Sequence, residues 1–323
     1  MTVRYRRLGR DGPLVSSVGL GGNNIASRLD EDGTRAIVHA ALDAGITLFD
    51  TADIYGAYGG AEAGDGERLL GAALKGHRDE VVLATKFGMS MGEEADRYGP
   101  RGAPRYVRHA VEESLRRLGT DRIDLYQYHE PDGVTPIEET LGALDELVAE
   151  GKVRHIGCSN LPAWTLADAA WQARTAGLPA FAAVQARYHL LDRSAETELV
   201  HACRRFGVGL LPYYPLANGL LSGKYRKGEA PPPGSRLSWR EGWLTEAALD
   251  RVEALRAFGA ERGLTLLQVA VGGLAALPAV GSVICGAMTP EQVAANAAAA
   301  DWTPDAADLA ALDDIVTPGE RVV

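Results

Sequence analysis

The chain has 323 residues, room for one large α/β barrel or for two ordinary domains. Hydrophobic residues make up 46% and charged residues 24%, the balance of a water-soluble protein that can bury a sizeable core. A formal net charge of −10 argues against nucleic acid or an anionic membrane as partner, because both call for a basic face. The opening MTVRYRRLGRDG is basic but has no apolar run after it, so no secretory signal is expected. YRRLGRDGPLVSS then predicts a short hairpin closing the floor of the fold.

From there, strand-like and helix-like segments alternate about every 30 residues, the size of a βα unit. Strands are predicted near 16–20, 46–50, 80–86, 123–128, 153–157, 181–186, 208–213 and 281–285. Helices are predicted near 33–44, 65–75, 105–118, 136–150, 162–176, 195–206, 265–277 and 290–299. In TRAIVHAALDAG the apolar positions Ala36, Ile37, Ala40 and Ala41 share one helical side, and Gly45 supplies the stop. Ser159-Asn160 is expected to cap the helix that follows it. The stretch 214–264 is too long for a plain loop. It predicts an ordered excursion over one barrel face, then an amphipathic helix over 246–262. Eight strands with intervening helices predict a closed (β/α)8 TIM barrel with an N-terminal hairpin and extra helices, a single domain over 1–323.

No apolar run reaches the roughly 18 to 20 residues that a membrane helix needs. The longest, LTLLQVAVGGLAALPAVGSVICG, is broken by Gly272, Gly273 and Pro278 and reads as helix, turn and strand. Cys158, Cys203 and Cys285 are odd in number and lack a CxxC spacing, so neither a disulfide framework nor a zinc site is expected. His77, His109, His155, His189 and His201 form no ligand pair at helical spacing, and no metal is expected. A reducing, cytoplasmic location fits this cysteine usage.

Four residues close consecutive apolar, strand-like runs or follow one by a short loop. Asp50 ends GITLFD, and Tyr55 lies in DTADIYG. Lys86 ends EVVLATK, and His129 ends RIDLYQYH. A carboxylate, a phenol, an amine and an imidazole at neighbouring strand ends can form a proton relay at a barrel mouth. A phenol is a poor acid at neutral pH, and a Lys86 ammonium beside it is expected to lower its pKa. Asp50 can hold Lys86 charged, and His129 can orient a substrate carbonyl. Each has a bland alternative: a cap, packing or a surface contact. Lys86 is the hardest to dismiss, because burying an unpaired ammonium is costly.

GITLFDTADIYG, VVLATKFG, DLYQYHEPD, GKVRHIGCSN and PYYPLANGLLSGKY together resemble the signature segments of the aldo-keto reductase family, in order, over essentially the whole chain. The resemblance implies a (β/α)8 barrel that reduces aldehydes or ketones by hydride transfer from a nicotinamide cofactor. It implies a catalytic tetrad of Asp50, Tyr55, Lys86 and His129, with Tyr55 as general acid. GLGGNN at 19–24 lacks the dinucleotide glycine spacing, so the cofactor is expected across the strand ends rather than on a Rossmann unit. By the same resemblance Ser159, Asn160 and Gln185 would hold the carboxamide, and Tyr213 would stack on the nicotinamide. Leu216, Gly219, Leu221 and Lys224 would wrap the pyrophosphate. Gly286, Met288, Thr289, Gln292 and Asn296 match the positions around the 2′-phosphate of NADP. Met288 stands where many relatives carry a cation, which leaves NAD(H) open beside NADP(H). Tyr214 stands where most relatives are expected to carry a serine. Asn23, Asn24, Ile54, Phe87 and Glu130 are the candidate substrate contacts, with Glu130 suited to a polar, sugar-like substrate. The alternatives are an NAD-dependent sugar or alcohol dehydrogenase working oxidatively, a cofactor-sensing auxiliary subunit, and an aldolase using Lys86 as Schiff-base nucleophile, which the Asp50 charge disfavours.

Overall fold

The protein is described from a computed structural model, over residues 3–240 and 242–323. Strands β1 (Tyr5–Arg7) and β2 (Leu14–Ser16) form the antiparallel hairpin. The barrel then runs β3 (Val18–Gly21), α1 (Glu31–Asp43), β4 (Leu48–Asp50), α2 (Asp65–Ala73), β5 (Val82–Phe87), α3 (Glu93–Asp96) and α4 (Pro104–Leu118). It continues through β6 (Ile123–Tyr128), α5 (Ile137–Ala149), β7 (Val153–Ser159), α6 (Ala163–Ala176), β8 (Ala183–Arg187), α7 (Leu199–Phe206) and β9 (Gly209–Tyr213). Helices α8 (Glu246–Glu261) and α9 (Leu266–Ala276), strand β10 (Val283–Gly286), and helices α10 (Pro290–Ala299) and α11 (Ala306–Ile315) complete it.

Among the described residues, β3 to β10 form one eight-stranded parallel sheet in the order β10-β3-β4-β5-β6-β7-β8-β9. Leu210 N donates to Ala279 O at 2.8 Å and Gly281 N to Leu210 O at 2.9 Å, which joins β9 to the approach of β10 and nearly closes the barrel. The fold is thus the (β/α)8 barrel. No described helix is long and apolar enough to cross a membrane.

The interior is filled from below. Leu8 and Val15 of the hairpin meet Leu48, Ala84, Leu125, Ala183, Leu211 and Ile284, all buried, in one apolar layer. Gly209 and Gly281 admit the plug: a Cβ there would come within 2.5 Å and 2.4 Å of Leu8 Cδ1. Side chains on a strand alternate between faces, so the residue two further along each strand points into the same lumen, one layer higher. From Leu48, Ala84, Leu125, Ala183 and Leu211 that step reaches Asp50, Lys86, Gln127, Gln185 and Tyr213. An apolar floor therefore fixes, through the pleat alone, a polar layer above it.

Element boundaries differ from the predicted ones in physically readable ways. Ser16 belongs to the hairpin, with Thr47 Oγ1 accepting from its backbone N–H at 3.0 Å, so the first barrel strand starts later. The predicted helix over 195–206 is a 3-10 turn, Ser194–Glu196, followed by α7. Ser159 ends β7 and Asn160 lies beyond it, while α6 starts after Pro162, so neither residue caps that helix. Gly45, at φ 77°, does close α1. The excursion is ordered by 3-10 turns at Ala217–Ser222 and Arg236–Ser238 before α8.

Candidate active site

The centre of the polar layer is a buried ion pair. Lys86 Nζ lies 2.7 Å from Asp50 Oδ2, and both residues are nearly inaccessible. Lys86 also donates to Thr51 O at 2.8 Å and to the Tyr55 phenol at 3.4 Å. Its three ammonium protons thus have three acceptors, which is what a buried ammonium requires. Burial works hardest against the charged lysine, but Asp50 and Tyr55 outweigh it and hold its pKa above the usual value.

The second oxygen of Asp50 accepts from two amides, Gln127 Nε2 at 3.0 Å and Gln185 Nε2 at 2.9 Å. Tyr55 sits over the pair, with its ring centroid 5.0 Å from Lys86 Nζ and 6.1 Å from that of His129. The tetrad residues are therefore together, at one end of one barrel. The expectation that Lys86 leaves Tyr55 with a lowered pKa needs correction. Burial raises it most, Lys86 lowers it less, and the phenol is pushed up to about 12. Tyr55 is a phenol rather than a phenolate across the neutral range. His129 is pushed down to about 3, first by burial and then by Lys86, so its imidazole is neutral there. Its Nδ1 makes no hydrogen bond to a described residue.

The residues expected to hold a cofactor surround this centre. Asn160, at a left-handed φ of 57°, donates to His129 O at 3.1 Å and to Ser159 Oγ at 3.1 Å, and accepts from the Tyr213 hydroxyl at 2.9 Å. Tyr214 (φ 54°), Ala217 (φ 48°) and Asn218 (φ 57°) share that uncommon conformation at the start of the excursion. Such backbone costs energy and gathers where a site is shaped. Lys224 folds over Gly219, whose added Cβ would lie 3.5 Å from Nζ. Leu216 is half-buried, while Leu221 is fully buried in the cluster formed with α8 and α9. Beyond β10, Asn296 donates to Gly286 O at 3.4 Å, Gln292 accepts from Met288 N at 2.8 Å, and Thr289 caps α10 by accepting from Gln292 N at 3.4 Å.

The substrate candidates divide. Asn23 and Glu130 are exposed at the strand-end face, and Ile54 is buried beside Tyr55. Phe87 does not line the site: it follows Lys86, points out of the barrel and stacks between Tyr126 and Tyr128 at 4.7 and 5.2 Å. Asn24 is committed to structure, donating to Ala287 O at 3.3 Å and accepting from Arg236 at 3.0 Å.

Two features lay outside the sequence-based candidates. Gln127 follows from the alternation Leu125, Gln127, His129, which puts its amide in the lumen. Arg236 comes from the excursion, with Arg28 and Arg240 nearby. Burial first, then those two charges, lowers its pKa. No carboxylate among the described residues pairs with any of the three guanidinium groups. Arg236 bridges through Asn24 to the loop after β10, and Arg240 donates to Asn218 Oδ1 at 3.4 Å and lies over the Trp239 ring. The Asn160 and Gln185 amides, the Tyr213 ring, the Gly219 cradle and these cations without a carboxylate partner suit a long anionic ligand.

The aldo/keto reductase family model matches residues 17–317, which takes in every barrel strand. The chain belongs to the aldo/keto reductase family. It is also similar to the uncharacterized oxidoreductase YrpG of Bacillus subtilis (strain 168), 37% identical over 320 residues, which cover 97% of this chain and 96% of the relative. As an aldo/keto reductase the protein is an oxidoreductase of carbonyl chemistry, from a family that uses nicotinamide cofactors.

Proposed function

We propose that this aldo/keto reductase reduces aldehydes or ketones, polar and sugar-like ones included, to alcohols with NADPH, and that Tyr55 is the general acid. The observation that carries the reading is the buried Asp50–Lys86 pair bonded to a half-buried Tyr55 beside a neutral His129. Ser159, Asn160 and Gln185 would hold the carboxamide, with Tyr213 against the ring, so that a bound reduced nicotinamide supplies a hydride at the tetrad. A carbonyl oxygen seated between the Tyr55 hydroxyl and His129 would receive hydrogen bonds from both. As negative charge grows on that oxygen, the Tyr55 proton moves to it, and Lys86 stabilises the phenolate left behind. Asp50 keeps Lys86 protonated throughout.

Arg28, Arg236 and Arg240 support NADP(H) over NAD(H). They bring cations to the loop after β10, where Met288 brings none. Exposed Glu130 beside His129 supports a substrate rich in hydroxyl groups. Fluorescence titration with NADPH and NADH, followed by turnover on a panel of aldehydes and aldoses, tests the reading. Tighter NADPH binding and turnover of polar aldehydes are expected. A clear preference for bulky apolar ketones would remove the substrate part, and equal affinity for the two cofactors the cofactor part.

A further inference from the structure

Gln127 has no surface role to explain it. It is fully buried in the lumen, on the inward face of β6 between floor residue Leu125 and His129. A carboxamide there would be costly unless both ends of the amide were used. Its Nε2 donates to Asp50 Oδ1 at 3.0 Å, and its Oε1 lies 3.5 Å from Gln185 Nε2. Its stem is trapped as well: Gly157 on the next strand leaves room for it, and a Cβ at 157 would stand 3.0 Å from Gln127 Cγ.

Asp50 thus meets two kinds of partner. One oxygen faces Lys86, while the other is shared by Gln127 and Gln185. The two amides differ in position. Gln185 pairs in register with Ser159, the last residue of β7, whereas Gln127 pairs with Gly157, two residues short of it, and its amide bonds to Asp50 and Gln185. We propose that Gln127 is a positioning residue for carbonyl reduction. It locks the Asp50 carboxylate so that Lys86 stays aimed at Tyr55 when Gln185 turns its amide toward the cofactor. The doubled donor on one oxygen is then not redundant: one amide is free to engage the ligand because the other stays.

The inference rests on the proposed tyrosine-acid chemistry, and its test separates the two. Wild-type turnover of an aldehyde with NADPH reads the chemistry, and the ratio of variant to wild type reads the role of Gln127. Gln127→Met keeps the volume and removes the donor. Its kcat should fall about 10- to 100-fold, the cost of a small misalignment at a reacting centre, while NADPH affinity stays within about twofold.

Gln127→Glu adds a readout that a space-filling role would not move. As a neutral acid this side chain still donates to Asp50, whereas its carboxylate form cannot and repels it. Burial and the Asp50 charge both raise the pKa of this acid, so its turnover relative to wild type should fall at least about tenfold as rising pH ionises it, a limb the wild type lacks. If Gln127→Met does not fold, Gln127→Glu at acid pH decides, because there it is isosteric and uncharged. Turnover and pH profile like wild type in both folded variants would overturn the inference while leaving the chemistry intact. A loss of kcat matched by an equal loss of NADPH affinity would also overturn it. A wild type without turnover on any carbonyl would overturn both.

Discussion

The ion pair of Asp50 with Lys86 depends on each partner keeping the other. Removing Asp50 alone, as in Asp50→Leu, leaves a buried ammonium without its counter-charge and should cost about 3–5 kcal/mol. Replacing both with apolar residues should recover most of that, because the desolvation cost disappears with the pair. Urea unfolding of the single and double variants checks this, and equal losses in the two would contradict it. His129 and His189 give a pH dependence whose sign is fixed. Both are pushed down to about 3 in the folded chain, chiefly by burial, against an ordinary value of 6.5. Below 6.5 the unfolded state binds more protons than the folded one, so stability falls as pH drops from 6.5 toward 3. At about pH 5 each histidine should cost about 2 kcal/mol. His189→Asn should remove its share of that slope in denaturation curves measured at several pH values. Residue parity explains what was legible at this scale. Asp50, Lys86 and His129 announce themselves as polar ends of apolar runs. Phe87 was misread because the neighbour of an inward lysine faces outward. Gln127 was passed over although the same rule places it beside them.

At the scale of elements, the strands and most helices were legible because apolar runs and helical periodicity alternate at the length of a βα unit. Hairpin and barrel meet at Leu8, which touches the region of Gly209 and Gly281 and completes the floor layer. Leu8→Ala should cost about 2–5 kcal/mol, transfer plus cavity, without moving the tetrad. A lowered melting temperature with unchanged KM is the expected result, and a large change in KM would show that the floor reaches the site. Boundaries were less legible for local reasons. Ser159 and Asn160 look like cap residues, yet β7 runs on through Ser159 because Gln185 pairs with it in the neighbouring strand. The excursion has no periodicity that encodes its path. Its course is set by single bonds such as Leu237 N to the Tyr225 hydroxyl at 3.1 Å and Arg236 to Asn24, which is why Arg236 could not be read from sequence.

For the molecule as a whole, an acidic chain of net charge −10 brings together three guanidinium groups that no carboxylate among the described residues neutralises. That contrast gives cofactor choice a charge-based test. Arg236→Ala should weaken NADPH about tenfold, roughly the worth of one charge-assisted hydrogen bond, and should weaken NADH less. Met288→Arg should shift the ratio further toward NADPH, and an unmoved ratio would place the 2′-phosphate elsewhere. The central claim is that Tyr55 delivers the proton to a carbonyl reduced at this face. The most direct measurement compares the consumption of NADPH by wild type and Tyr55→Phe with a polar aldehyde, alongside NADPH binding by both. The account predicts turnover by wild type and a loss of at least about 10²-fold in Tyr55→Phe, the range for removing a general acid, with NADPH affinity retained. Wild-type turnover in Tyr55→Phe would contradict it.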